Sequence, residues 1–251
     1  MLFYGIAWMS RKIGMNRSWP CAACPVRDIG FCGALLGQHS SEQRLNEQPA
    51  WQDFRGLRGG ENIITRGNVS DYVYVLCDGW AFRYYRLPDG RRQILQVLLA
   101  GDIFSAVTAF AEKLNFSVQA MTEVRISRFQ RIVVKSKFTS DPRLTDALAR
   151  SFIDQGNDLD ELVTVLGQRS AEQRLAYLFL HFIKRLRARI PTLRQFPFPL
   201  RQQHIAEMMG LTPVHVSRVM SSFRERKLID LSGGVLTVLD PDELERIGSL
   251  R

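Results

Sequence analysis

The chain has 251 residues, a formal net charge of +9, 45% hydrophobic residues and 24% charged residues. Those are globular proportions with length for one large or two ordinary cored domains, and they exclude a disordered chain. No run of 18 apolar residues occurs, which excludes a membrane-spanning helix. The apolar start M-L-F-Y-G-I-A-W-M lacks the basic region and cleavage site of a signal peptide, so a cytoplasmic protein with no membrane partner is expected.

The charge is uneven. Residues 168–251 hold 14 Lys/Arg against 8 Asp/Glu, whereas residues 51–167 hold 15 against 14. A basic module beside a neutral one fits a nucleic-acid-binding domain joined to something else, although a generally basic surface gives the same totals.

Residues 1–50 form an N-terminal cysteine-rich segment. Its first 40 residues are rich in Cys, Gly and Pro and read as irregular, and residues 41–53 read as a short helix ending near Pro49–Trp51. Cys21, Cys24 and Cys32 stand as C-x2-C-x7-C, and Cys77 is the remaining cysteine. In a reducing compartment four cysteines point to metal or redox chemistry rather than structural disulfides. Thiolates so spaced wrap an iron–sulfur cluster, which normally takes four cysteines. Zinc accepts the same set, and a thiol–disulfide switch needs nothing more.

Residues 51–140 read as a small β-barrel or jelly roll. Candidate strands are Asn62–Thr65, Tyr72–Cys77, Trp80–Leu87, Gln93–Leu99, Ser117–Ala120 and Glu123–Phe129, separated by glycine turns. Arg83–Arg86 and Arg91–Arg92 read as solvated strand faces and a turn or, alternatively, as a contact for RNA polymerase. Residues 141–167 read as a long helix between two domains. Leu148, Phe152, Leu159, Leu162, Val163 and Leu166 form its apolar stripe, interrupted around Gln155–Asn157. Such a stripe suits a homodimer seam, or packs on its own barrel.

Residues 168–251 read as a winged helix-turn-helix. Ser170 and Gln173 make a capping box, and Leu175, Leu178, Phe179, Phe182 and Leu186 point inward from the helix that follows. Two short helices then meet at Gly210, and a glycine-turn hairpin follows. Thr212 caps the second helix and Pro213 suits its first position. Val214, His215, Ser217, Arg218, Ser221 and Ser222 are left exposed there. Arg218 suits bidentate contact with guanine, serine reaches bases or phosphate, and Arg201, Arg224, Arg226 and Lys227 are phosphate candidates. No paired carboxylates, nucleophile motif or phosphate-binding glycine loop suggest an enzyme.

The ordered pieces V-Y-V-L-C-D-G-W, D-G-R-R-Q-I-L, L-A-G-D-I-F, A-E-Q-R-L-A and Q-Q-H-I-A-E-M-M-G-L-T-P-V-H-V-S-R resemble the CRP/FNR-type transcription regulators over nearly the whole chain. The resemblance implies an α+β fold: a β-roll sensor like a cyclic-nucleotide-binding domain, a dimerisation helix and a winged helix. It implies a homodimer on palindromic double-stranded DNA. It also implies a 4Fe–4S cluster at the N-terminal cysteines, as in oxygen-sensing members. Those sensors usually take a fourth ligand where this chain has Val124–Arg125, so Cys77 is the substitute candidate; the alternative is that Cys77 is a buried thiol and an Asp, a His such as His39 or a small thiol completes the site. The Arg-Ser and Gly-Glu pairs that hold a cyclic nucleotide are missing, so none is expected. The glutamate usual three positions before Ser217 is Val214, which offers a thymine methyl contact instead of a cytosine bond. Three rival readings are a regulator answering to a small molecule or thiol oxidation without a cluster, an iron–sulfur electron-transfer protein, and a non-sensing interaction module.

Overall fold

The computed structural model describes Cys21, Cys24, Arg27, Gly30–Leu36 and residues 48–111 and 113–250. Most of the 1–50 segment, including the expected helix up to residue 47, lies outside the described residues. The chain divides into two compact units, residues 7–86 with 95–157, and residues 87–94 with 158–251.

The first unit is built on two antiparallel sheets. Strands β1 (Gln52–Leu57), β7 (Val124–Gln130) and β3 (Tyr72–Asp78) form one, in the order β1-β7-β3. Strands β2 (Asn62–Ile64), β6 (Ser117–Ala120), β4 (Ala81–Arg86) and β5 (Arg92–Leu98) form the other, in the order β2-β6-β4-β5. All six strand expectations meet a strand. β1 was not expected, because its burial does not alternate.

Pleating sends successive side chains to opposite faces. Leu76, Val124 and Ile126 therefore enter a core with Ile64, Ala81, Leu98 and Val118 from the other sheet. Val73, Val75 and Phe129 enter a second core on the far face, covered by α1 (Gly30–Leu36), α2 (Arg131–Ser140) and the start of α3 (Pro142–Gln168). Cys21, Phe31, Cys32, Leu35 and Leu36 meet Val134, Leu144 and Leu148 there. The cysteine-bearing helix thus shares one core with the long helix.

α3 runs as one helix through Gly156. One glycine costs a helix about 1 kcal/mol and does not stop it. Arg83 departs from the expected solvated face, since it is half-buried. Its guanidinium lies 4.1 Å over the Phe116 ring and donates to Gln155 Oε1 of α3 at 2.7 Å. Burial lowers its pKa to about 10, which still leaves it charged at neutral pH.

In the second unit, α4 (Ala171–Arg189) starts at the expected capping box. Gln173 N–H donates to Ser170 Oγ at 3.3 Å, and Ser170 N–H to Gln173 Oε1 at 3.1 Å. Its Leu175, Leu178, Phe179, Phe182 and Leu186 are all buried. Helices α5 (Gln202–Met209) and α6 (Pro213–Glu225) follow. The wing is a three-stranded sheet of β8 (Phe196–Pro197), β10 (Val235–Val238) and β9 (Ile229–Ser232), in that order, and α7 (Pro241–Gly248) closes the unit. Among the described residues no helix is long and apolar enough to cross a membrane.

Candidate nucleic-acid interface and cysteine site

The interface is set by local chemistry at the turn between α5 and α6. Gly210 sits at φ +63°, a left-handed conformation that glycine adopts without a Cβ clash, and ends α5. Thr212 then accepts the N–H of His215 through Oγ1 at 3.2 Å, and Pro213 opens α6. Val216, Met220 and Phe223 face inward. Helical spacing puts Val214, Ser217, Arg218, Ser221 and Glu225 along the opposite face.

Those side chains line a shallow open depression with Gln202, Pro213 and Ser222. Val214 is 60% exposed. His215 is exposed but lines no part of the depression. Arg201 and Arg224 are exposed at the start of α5 and in the last turn of α6, and Arg224 Nη2 donates to Ser221 Oγ at 3.3 Å. Arg226, a phosphate candidate from sequence, is held away by Glu172 and Glu243. Gln202 and Glu225 were missed. Gln202 opens α5, and its place beside α6 is a tertiary fact. Glu225 continues the Val214–Arg218–Ser221 stripe, which is the signal that would have found it.

The stripe on α3 divides. Leu148 is fully buried in the core beneath α1, and Leu162 is also buried, so both are satisfied within their own chain. Phe152, Leu159 and Val163 are 40%, 40% and 69% exposed, and Leu166 is half-buried. Their spacing of seven, four and three residues is that of a two-helix seam. Gly156 lies on the same face, and a Cβ there would meet nothing within 4 Å.

The cysteine site lies in the first unit. The Cys24 N–H donates to the Cys21 carbonyl at 3.3 Å, and the Arg27 N–H to the Cys24 carbonyl at 3.1 Å. Cys21 and Cys32 are buried, Cys24 and Cys77 half-buried, and all four are free thiols. Burial pushes the Cys32 thiol far above its usual range, and the neighbouring Cys77, Cys21 and Cys24 push it further. Cys77 is pushed up by burial and then by Cys21 and Cys24, while Arg125 pulls it down. Cys21 is raised by burial against the opposing pull of Gln52, Arg27 and Arg125. Three N-terminal cysteines and a distant strand cysteine are therefore mutual neighbours. Among the described residues no group of three His, Cys, Asp or Glu is arranged around a single metal ion.

Polar groups join the site to the sheet. Gln52 Nε2 approaches Cys21 Sγ at 3.4 Å and donates to Ser127 Oγ at 2.8 Å. Arg125 Nε is buried without a hydrogen-bond partner. Four neighbouring thiols are the donor type that a thiolate-held group takes, and the Arg125 side chain as a whole is half-buried.

Residues 54–141 match the cyclic nucleotide-binding domain family, and residues 173–247 the Crp-like helix-turn-helix domain family. The chain is 32% identical over 190 residues to the nitrogen fixation regulation protein FixK of Azorhizobium caulinodans, covering 74% of this chain and 75% of that one. It is 27% identical over 219 residues to the transcriptional activator protein FnrL of Cereibacter sphaeroides, covering 85% of each. The solved structure of FixK2 from Bradyrhizobium japonicum superposes with a TM-score of 0.73 at 21% identity, over 80% of this chain and 98% of that one.

Proposed function

The chain belongs to the CRP/FNR-type transcription regulators, and from that premise we propose a homodimer that reads palindromic DNA under the control of an iron–sulfur cluster. The cluster, a 4Fe–4S group on Cys21, Cys24, Cys32 and Cys77, answers to oxygen or redox state. The observation that carries this reading is the meeting of Cys77 with three cysteines more than 40 residues away. The relatives, a nitrogen fixation regulation protein and a transcriptional activator protein, support a role in transcription regulation.

When bound, the cluster supplies a redox-labile cross-link between α1 and the β-roll. Every thiol must lose its proton to bind it, so assembly releases protons from groups that burial holds neutral. α1 packs in the core that holds Leu144 and Leu148 of α3, and this shared core supports coupling from the cysteines to the exposed seam of Phe152, Leu159 and Val163. Cluster binding favours the dimer only to the extent that the dimeric state holds the cluster more tightly. In each subunit Ser217, Arg218, Ser221 and Val214 face the major groove of one half-site, and Thr212 holds the helix start toward phosphate. Arg201 and Arg224 bind phosphate, and His215 stands at the edge of the contact. RNA polymerase is the further partner of such a regulator.

The test is anaerobic purification with an absorbance spectrum before and after air, followed by DNA binding in both states. A brown protein that bleaches in air and then releases its operator is expected. A colourless protein that binds its operator equally well in air would overturn the cluster reading, leaving a regulator that answers to a small molecule or to thiol oxidation.

A further inference from the structure

The outward side of α3 carries one pattern from Ala149 to Leu166. Ala149, Phe152, Gly156, Leu159, Val163 and Leu166 follow one another at steps of three, four, three, four and three residues. That alternation is the heptad spacing of a two-helix seam, begun one turn before Phe152. The inward side uses other residues: Leu144, Leu148, Leu162 and Val165 are buried within their own chain. On the outward side Ala149, Phe152, Leu159 and Val163 are exposed, and Gly156 and Leu166 are half-buried.

The seam is uneven in volume. Phe152, its one aromatic residue, stands between its two smallest, Ala149 and Gly156, and a Cβ at Gly156 would meet nothing within 4 Å. In a parallel pair each seam side chain enters a hole formed by four residues of the facing helix. For Phe152 those four positions are the facing Ala149, Phe152, Ile153 and Gly156. Two of these walls are small, which leaves room for a ring.

Phe152 has aromatic neighbours on its own chain. The Phe110 ring lies 6.5 Å from it and 4.8 Å, edge-on, from the Phe138 ring of α2. Phe110 follows directly on a short 3-10 helix, Ala106–Ala109. Ala106 and Ala109 lie in the core beneath α1, and Thr108 Oγ1 donates to the Tyr72 carbonyl at 2.9 Å. Phe110 is thus mounted on the roll, yet it is 50% exposed. Exposed aromatic rings gathered beside an unpartnered apolar stripe mark a contact surface. A second copy of this chain suits that surface. It is continuous with the seam through Phe152, and a two-fold pair offers the same ring and the same gap from both sides.

We propose that the second copy docks with its own Phe152 in the gap left by Ala149 and Gly156, and that Phe110 closes the side of that contact. The roll as well as α3 then belongs to the dimer face. This deepens the homodimer reading above and rests on it.

The experiment uses the full chain, purified anaerobically, as wild type, Gly156→Leu, Phe110→Ser and the double variant Phe152→Ala with Gly156→Leu. Sedimentation velocity over a concentration series reads the dimer dissociation constant, and circular dichroism melting checks the fold. Leucine favours a helix more than glycine does and strengthens an ordinary seam, so Gly156→Leu separates the two cases by sign. The expected result for Gly156→Leu is a dissociation constant raised roughly tenfold or more, the scale of overpacking one core position. Phe110→Ser raises it as well, and the double variant, which moves bulk from Phe152 to position 156, returns it toward wild type. A Gly156→Leu dimer as tight as wild type or tighter overturns the proposal while leaving the homodimer reading intact. An undiminished dimer in Phe110→Ser does the same, and it decides alone if Gly156→Leu fails to fold. A double variant no tighter than Gly156→Leu also overturns it, since blocked room would not be the cause. A monomeric wild type overturns the homodimer reading, and the proposal with it.

Discussion

Arg174 of α4 donates to the Met209 carbonyl of α5 through Nη1 at 2.9 Å, and the same guanidinium reaches two carbonyls at and just past the end of α3. Nη2 donates to Leu166 O of α3 at 2.8 Å, and Nε to Arg169 O at 2.9 Å. The last carbonyls of a helix have no partner within the helix and carry partial negative charge. One side chain thus closes two helices and fixes the entry to the Gly210 turn, which explains an arginine within the A-E-Q-R-L-A stretch. Arg174→Met lowers the stability of the DNA-binding unit by about 3 kcal/mol, the scale of losing bonds to a charged donor. Urea unfolding followed by circular dichroism measures it, and an unchanged midpoint would show that water replaces the guanidinium.

On the proposed reading Val214 touches one base pair of each half-site. Val214→Glu exchanges an apolar contact for an acceptor that suits the cytosine amino group. The variant prefers a different base at one position per half-site, by about 1–3 kcal/mol, with the other positions unchanged. Selection from a randomised operator library reads this directly. A uniform loss of affinity across the library would remove Val214 from the reading face.

The exposed seam on α3 gives a test of assembly. Val163→Asp places a charge on the residue that is 69% exposed in one chain. In the proposed dimer two copies of the residue are buried, so the penalty counts twice, and the dimer dissociation constant rises roughly 100-fold. Sedimentation velocity measures it, with the monomer keeping its helical circular dichroism. A dimer of undiminished strength would place the interface elsewhere.

His204 makes the DNA-binding unit sensitive to acid. Its Nδ1 accepts the Arg201 N–H at 3.2 Å at the start of α5, a bond that only the unprotonated nitrogen can accept. Burial depresses its pKa; Arg92 and Arg201 depress it further, and Glu207 opposes them. A group with a depressed folded pKa contributes stability above its unfolded pKa, and that stability is lost as pH falls through the folded value. The melting temperature therefore falls on acidification below the ordinary histidine range, and His204→Gln flattens that fall. Parallel pH profiles for wild type and variant would show that another group is responsible.

The reading helix was legible because its signals are local. The Thr212 cap, Pro213, Gly210 and the inward set on α4 all act within a few residues of themselves, and each has its expected structural role. The six strands announced themselves by alternation and glycine turns. α1 read as irregular because Gly30 and Gly33 weaken helix propensity, and it is helical because Phe31, Cys32, Leu35 and Leu36 are buried against the roll. α7 was overlooked although its Asp240 cap and Pro241 were in plain view.

By itself the sequence determined the order of the elements, the face of α6 left exposed and the thiol chemistry available, since periodicity, caps and residue type need only neighbours along the chain. Tertiary structure alone decided that Cys77 neighbours the N-terminal cysteines, that Arg83 is half-buried between Phe116 and α3, and that Leu148 belongs to its own core while Val163 faces outward. Those facts depend on a bulge in strand register and on which helix covers which face of a sheet, and both are settled by contacts between residues far apart in the chain.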